Sequence, residues 1–189
     1  MSAYKIIISG EGGQGVLSIA KIMAYSAWQQ GKKAVFMPFF STEKQGGVST
    51  AFAQISDEDI PFPKFRKADL WVALSQRAVD RIQDYLDDSS VAIVNTHLVK
   101  DLSGLKKWKP YAIDATRIAK EEFNEPRTFN MVIMGAMLRF VPGLTLGSFA
   151  QSIEKQFKDK YEKKPELRDL NQKAFERGYE LIGEKGAPR

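Results

Sequence analysis

The chain has 189 residues, 43% of them hydrophobic and 27% charged, an ordinary globular composition and far too apolar for a disordered chain. It contains no cysteine and a single histidine, His97. This chain by itself therefore has no disulfide framework, no thiolate nucleophile, no thiolate-held zinc or iron–sulfur cluster and no multi-histidine metal site. The 28 Lys and Arg against 23 Asp and Glu give a net charge of +5, mild and dispersed, unlike the clustered stripe of a nucleic-acid binder. No apolar run approaches the length of about 18 residues that spans a membrane, and the N-terminus enters a strand-like segment without a signal peptide. These features predict a cytoplasmic protein that binds neither nucleic acid nor membrane.

Tyr4–Ser9 (YKIIIS) is short, β-branched and continuous, the pattern of a buried parallel strand. A glycine cluster, Gly10, Gly12, Gly13 and Gly15, leads into Val16, Ala20, Met23, Ala24 and Ala27 at helical spacing. Gly31 stands where a helix C-terminal glycine belongs. Ala34–Phe39 is the next strand, and the three elements have the length of a parallel, Rossmann-like βαβ crossover. Ser41–Gly47 (STEKQGG) is a polar, glycine-rich loop; Val48–Ile55 alternates and predicts an extra strand or hairpin outside the simple alternation. Leu70–Leu74 and Val91–Val94 are buried strands, with a helix marked by Val79, Ile82 and Leu86 between them. Tyr111–Ile113 is a short strand and Ala115–Phe123 a helix. Met131–Val141 is apolar on all sides and predicts a helix buried on both flanks, stopped by Pro142-Gly143. Ser148 with Gln151 has the form of a capping box before the stripe Phe149, Ile153, Phe157 and Tyr161. Pro165 opens a last helix with Leu167, Leu170, Ala174, Gly178 and Leu181 on one face. The sequence thus predicts one domain over residues 1–189. It is a three-layer α/β fold with a mostly parallel sheet, an extra hairpin and a helical C-terminal part.

Gly10-Glu11-Gly12-Gly13-Gln14-Gly15 satisfies G-x-G-x-x-G between a predicted strand and a predicted helix. Its glycines permit a tight turn and close backbone approach, and the helix N-terminus offers free N–H groups and a positive dipole end to an anion. A nicotinamide dinucleotide also requires an acid at the end of the second strand. That strand ends in Met37, Pro38, Phe39 and Phe40, and the first later acid, Glu43, lies inside the next loop. What survives is a phosphate or other anion at the loop, an interface built on it, or a tight turn that binds nothing. The loop Ser41-Thr42-Glu43-Lys44-Gln45-Gly46-Gly47 follows a strand carboxyl end, where α/β sheets bind ligands. Asn95, Thr96 and His97 end another strand; His97 reads as a surface or hydrogen-bonding residue more than a catalyst. No paired carboxylates and no serine elbow supply a catalytic site. The residues describe a ligand-shaping or assembly subunit, with a stand-alone nucleotide- or coenzyme-binding module as the alternative.

The stretch GEGGQGVLSIAKIMAYSAWQQGKKAVFMP resembles the opening of the gamma subunit of the 2-oxoacid:ferredoxin oxidoreductases, the enzymes of pyruvate, 2-oxoglutarate, 2-ketoisovalerate and indolepyruvate. The resemblance continues through STEKQGGVSTAFAQISDEDI and Arg127-Thr128-Phe129-Asn130-Met131 with Gly135-Ala136. It closes with Lys164-Pro165-Glu166-Leu167 and the segment from Asn171 to Gly178. It implies a complex that decarboxylates a 2-oxoacid on thiamine diphosphate, passes electrons through iron–sulfur clusters to ferredoxin, and usually delivers the acyl group to coenzyme A. Thiamine would belong to alpha and beta partners and the clusters to a ferredoxin-like subunit, with none of these cofactors held by this chain alone. The gamma module would help form the coenzyme A region through Gly12, Gly13, Gln14 and Gly15, faced by Ser41, Thr42, Glu43, Gln45, Gly46 and Gly47. Gln45 stands where the family commonly has arginine, while Lys44 keeps a positive charge. The adjacent rings of Phe39 and Phe40 point to an exposed apolar edge, and to a homodimer when the chain is alone.

Overall fold

The computed structural model describes residues 3–39 and 47–184. The chain divides into two compact units, Met1–Ile113 and Asp114–Arg189.

The first unit is built on a six-stranded sheet in the order β2-β3-β1-β4-β5-β6. The strands are β1 (Tyr4–Glu11), β2 (Lys33–Phe39), β3 (Val48–Ser56), β4 (Leu70–Ala73), β5 (Val91–Asn95) and β6 (Tyr111–Ile113). β1, β4, β5 and β6 pair in parallel, as their continuous apolar runs predict; β3 pairs antiparallel with both β1 and β2. The sheet is therefore mixed, with β3 the one reversed strand. The expected hairpin exists, because β2 and β3 are consecutive antiparallel neighbours. It does not lie outside the alternation, however. β3 inserts between β1 and β2, so these two run in the same direction without touching, unlike a Rossmann crossover.

Residue size explains the insertion. On one face of β3, Ala51 and Ala53 pair with Ile8 and Ile6, and the helix α1 (Val16–Gln29) packs against β1, β2 and β3. The buried face of α1 is itself rich in small residues, Ala20, Ala24 and Ala27, so helix and strand approach closely. On the other face, Phe52 pairs with Ile7 and joins Trp71, Val79, Ile82 and Val94 in one buried cluster. Val79 and Ile82 come from α2 (Gln76–Ile82). The sheet thus lies between α1 and α2, which gives the three predicted layers. Ser75 caps α2 by accepting the Ala78 N–H.

The second unit is helical: α3 (Ala115–Phe123), α4 (Phe129–Leu138), α5 (Leu146–Lys163) and α6 (Glu166–Glu184), with a 3-10 turn at Pro126–Thr128. α4 is buried from Met131 to Leu138, as its all-round apolar sequence predicts. The capping box of α5 is set by Thr145, not by Ser148 with Gln151. The Thr145 hydroxyl accepts the Ser148 N–H, and the Ser148 hydroxyl accepts the Thr145 N–H. α5 and α6 are joined by the stacked rings of Phe149 and Phe175, with centroids 5.2 Å apart. The Arg168 guanidinium adds a two-pronged pair with Glu154 at 2.9 and 2.7 Å.

Candidate functional site

Parallel strands end on the same side, so the carboxyl edge of the sheet collects the residues that the sequence singled out. The β1–β3 register pairs Glu11 with Val48, and the β2–β3 register pairs Phe39 with Thr50. The glycine loop after Glu11 and both ends of the loop between Phe39 and Val48 therefore leave one edge, with Gly12 and Gly47 one step beyond paired residues. Gly12, Gly13, Gln14, Gly15 and Gly47 are described; Ser41, Thr42, Glu43, Gln45 and Gly46, with Phe40 and Lys44, lie outside the described residues.

The glycines of the first loop do different jobs. Gly10 is held by packing, since a Cβ there would come within 2.5 Å of Gln14 Oε1 and 2.9 Å of Leu74 Cβ. Gly13 and Gly15 have φ of 87° and 78°, a region costly for residues with a Cβ. Gly12 has neither reason: among the described residues, a Cβ there would meet nothing within 4 Å. The loop is set by Gln14, whose side-chain oxygen accepts the Glu11 N–H at 2.7 Å. Gly15 is the N-cap of α1 and supplies no side-chain cap, and the first turn of the helix carries no acid. Among the described residues, no side chain caps that end of the helix, which carries the positive end of the dipole.

Asn95, Thr96 and His97 lie at the same edge, at the end of β5, two strands from β1. Asn95 is fully buried. Its side-chain oxygen accepts the His97 N–H and its carbonyl accepts the Leu98 and Val99 N–H groups. Asn95 thus shapes a turn, and His97 is an exposed member of it.

The structure adds residues that the sequence reading missed. A cavity of about 90 Å³ opens beside the edge, lined by Phe39, Val48, Thr50, Phe52, Lys64, Arg81, Ile82 and Tyr85. Lys64 stands 5.9 Å from the centre of the Phe39 ring. Its segment is tied down by Gln54, whose buried amide donates to the Phe62 carbonyl at 2.7 Å. The basic and aromatic run Pro61-Phe62-Pro63-Lys64-Phe65-Arg66-Lys67 was the available signal. Ser9, paired with Thr50 across the ladder, buries a hydroxyl that has no hydrogen-bond partner among the described residues.

The described residues of this edge are of the kinds that serve recognition. They present an uncapped helix N-terminus, an open glycine turn and, beside it, two cations over an apolar floor. The cavity is too small for a whole coenzyme and suits one anionic or apolar end of a ligand. Among the described residues, no three His, Asp or Glu side chains gather into a metal-binding group, and no helix is long and apolar enough to cross a membrane.

The family model described as pyruvate ferredoxin/flavodoxin oxidoreductase matches residues 5–181. The 2-oxoglutarate synthase subunit KorC of Methanocaldococcus jannaschii is 37% identical over 182 residues, covering 95% of this chain and 94% of that relative. The pyruvate/ketoisovalerate oxidoreductases common subunit gamma of Thermococcus kodakarensis is 34% identical over 160 residues, covering 81% of this chain and 86% of that relative. The crystal structure of the keto/oxoacid ferredoxin oxidoreductase gamma subunit from Geobacter sulfurreducens PCA aligns with a TM-score of 0.80 at 27% identity, covering 96% of this chain and 99% of that one.

Proposed function

The chain belongs to the pyruvate ferredoxin/flavodoxin oxidoreductase family as a gamma-type subunit of a 2-oxoacid:ferredoxin oxidoreductase complex, and on that premise we propose that its carboxyl sheet edge helps form the coenzyme A region of the assembled enzyme. In this reading thiamine diphosphate and the iron–sulfur clusters are carried by alpha, beta and ferredoxin-like subunits, and ferredoxin takes the electrons. This chain contributes shape and positive potential. The dipole end of α1 and the side chains of Lys64 and Arg81 attract phosphate, while Gly12–Gly15 lets a ligand or a partner approach the backbone.

Gly12 is the observation that carries the reading. Among the described residues, nothing occupies the space its side chain would take, and its neighbours Gly13 and Gly15 are already explained by backbone conformation. An exposed glycine with open space above it among the described residues suits close approach by another molecule. Replacing it tests this directly. In a complex reconstituted from all subunits, Gly12→Val is expected to raise KM for coenzyme A or to weaken assembly, with the thermal melt of the isolated chain unchanged. Unaltered coenzyme A kinetics and unaltered assembly would rule the reading out.

A further inference from the structure

The second unit contains a pocket that belongs to neither the glycine loop nor the sheet edge. It has a volume of about 320 Å³ and is lined by Glu125, Arg127, Thr128, Lys160, Lys163, Lys164, Leu167 and Asn171. This volume is within the range of small-ligand sites. Its walls come from three separate segments: the 3-10 turn at Pro126–Thr128, the last turn of α5 and the start of α6.

Four of the lining residues are cations and one is an acid. Among the described residues, ion pairs of this unit join Arg117 to Asp114 and Glu121, Lys158 to Glu162, Arg168 to Glu154 and Arg177 to Glu122. None involves Arg127, Lys160, Lys163 or Lys164. Lys160 instead lies over the Phe157 ring, 5.1 Å from its centre. The single acid is engaged locally, Glu125 accepting the Arg127 N–H at 3.1 Å. Beneath the cations is a buried polar floor, made by Thr128 and by Asn171, whose amide donates to the Tyr161 hydroxyl at 2.9 Å.

Lysines in the last turn of a helix are expected from its dipole, and this accounts for Lys160 and Lys163. It accounts neither for Arg127, which arrives on another segment, nor for the concave shape that the four cations share. Four positive charges around one cavity raise its local positive potential and favour the entry of an anion. The guanidinium provides a planar fork for phosphate oxygens, and the lysines provide mobile point charges. A protein surface would be met by a broad, flat patch; a concave pocket walled by three segments fits a compact polyanion.

We propose that this pocket is a binding site for a small ligand bearing a di- or triphosphate group, separate from the coenzyme A region. Titration calorimetry of the full chain with inorganic pyrophosphate at low ionic strength is expected to show saturable 1:1 binding that weakens as salt is added. The double variant Lys160→Gln/Lys164→Gln should bind at least about tenfold more weakly. Lys158→Gln, which removes the same type of charge from the same helix outside the pocket, should bind like the parent. If the double variant loses its helical circular dichroism, Arg127→Gln at the exposed turn replaces it. The proposal is overturned by absence of saturation up to about 10 mM pyrophosphate, by equal weakening in Lys158→Gln, or by undiminished binding in the pocket variants. It is also overturned if a glutamate-rich peptide binds the pocket and pyrophosphate does not, since the pocket would then serve a partner's chain.

Discussion

Gly135 of α4 and Gly178 of α6 stand against each other's helix backbone: a Cβ at Gly135 would overlap the Phe175 carbonyl, and a Cβ at Gly178 would overlap the Val132 carbonyl. The two helices touch main chain to main chain, with no side chain between them. Gly135→Ala or Gly178→Ala must therefore push the helices apart and disturb the buried residues on both sides. Each is expected to lower stability by about 3 kcal/mol, the upper part of the overpacking range. Urea unfolding of the isolated chain measures this, and a loss below about 1 kcal/mol would show that the crossing is slack.

Gly10 is expected to behave unlike Gly12. Gly10→Val drives a branched side chain into Leu74 and Val16 and should abolish soluble expression or lower the melting temperature steeply. Gln14→Ala removes the acceptor of the Glu11 N–H and should cost about 1 kcal/mol. If Gly10→Val melts like the parent, the division of the loop into packed and open glycines is wrong.

Phe39 is 56% exposed and Phe62 68% exposed, with Lys64 near the first ring. Rings this open on a subunit of a complex are expected to be covered by another chain. The isolated chain is expected to self-associate through them. Sedimentation over a wide concentration range should show a dimer that Phe39→Ser with Phe62→Ser returns to monomer. A parent chain that stays monomeric at high concentration contradicts this.

The Tyr4 phenol is pushed above its ordinary value near 10 by burial and by the nearby Asp69 carboxylate. The folded protein keeps this proton in alkali where the unfolded chain has released it. The resulting stabilisation is complete below about pH 10 and is lost as the pH rises through the raised value. Stability should fall in this window, with Tyr4 contributing up to about 1.4 kcal/mol per pH unit. Denaturant melts near pH 9 and near pH 11 compare the parent with Tyr4→Phe, which should show the shallower decline. Equal declines would remove Tyr4 from the account.

The strands and helices were largely legible because their signals are local. Ile6, Ile7 and Ile8 read as a buried strand, and the all-apolar run from Met131 to Leu138 as a buried helix. The place of β3 was not legible. Alternation in Val48–Ile55 signals a strand, but Ala51 and Ala53 reveal an interior position only once α1 is known to cover them. The Thr145 cap was missed because Ser148 fills the position usually held by glutamate or glutamine. At the site, glycine spacing located the first loop, since turn chemistry is written in consecutive residues. Lys64 and Arg81 were hidden because their common cavity is lined from β2, β3, α2 and the segment at Lys64, which only the fold brings together.

The two margins of the sheet also bear on how a subunit of this kind survives before it meets its partners. At one margin β6 is three residues long. At the other, β2 carries Pro38, which has no N–H to offer, and the exposed charge of Lys33. Short strands, proline and lysine are the features that keep exposed main chain from recruiting foreign strands. These features disfavour edge-to-edge growth of an unassembled copy into fibrils. Assembly is left to side-chain surfaces, where single substitutions can retune one partnership and leave the others intact.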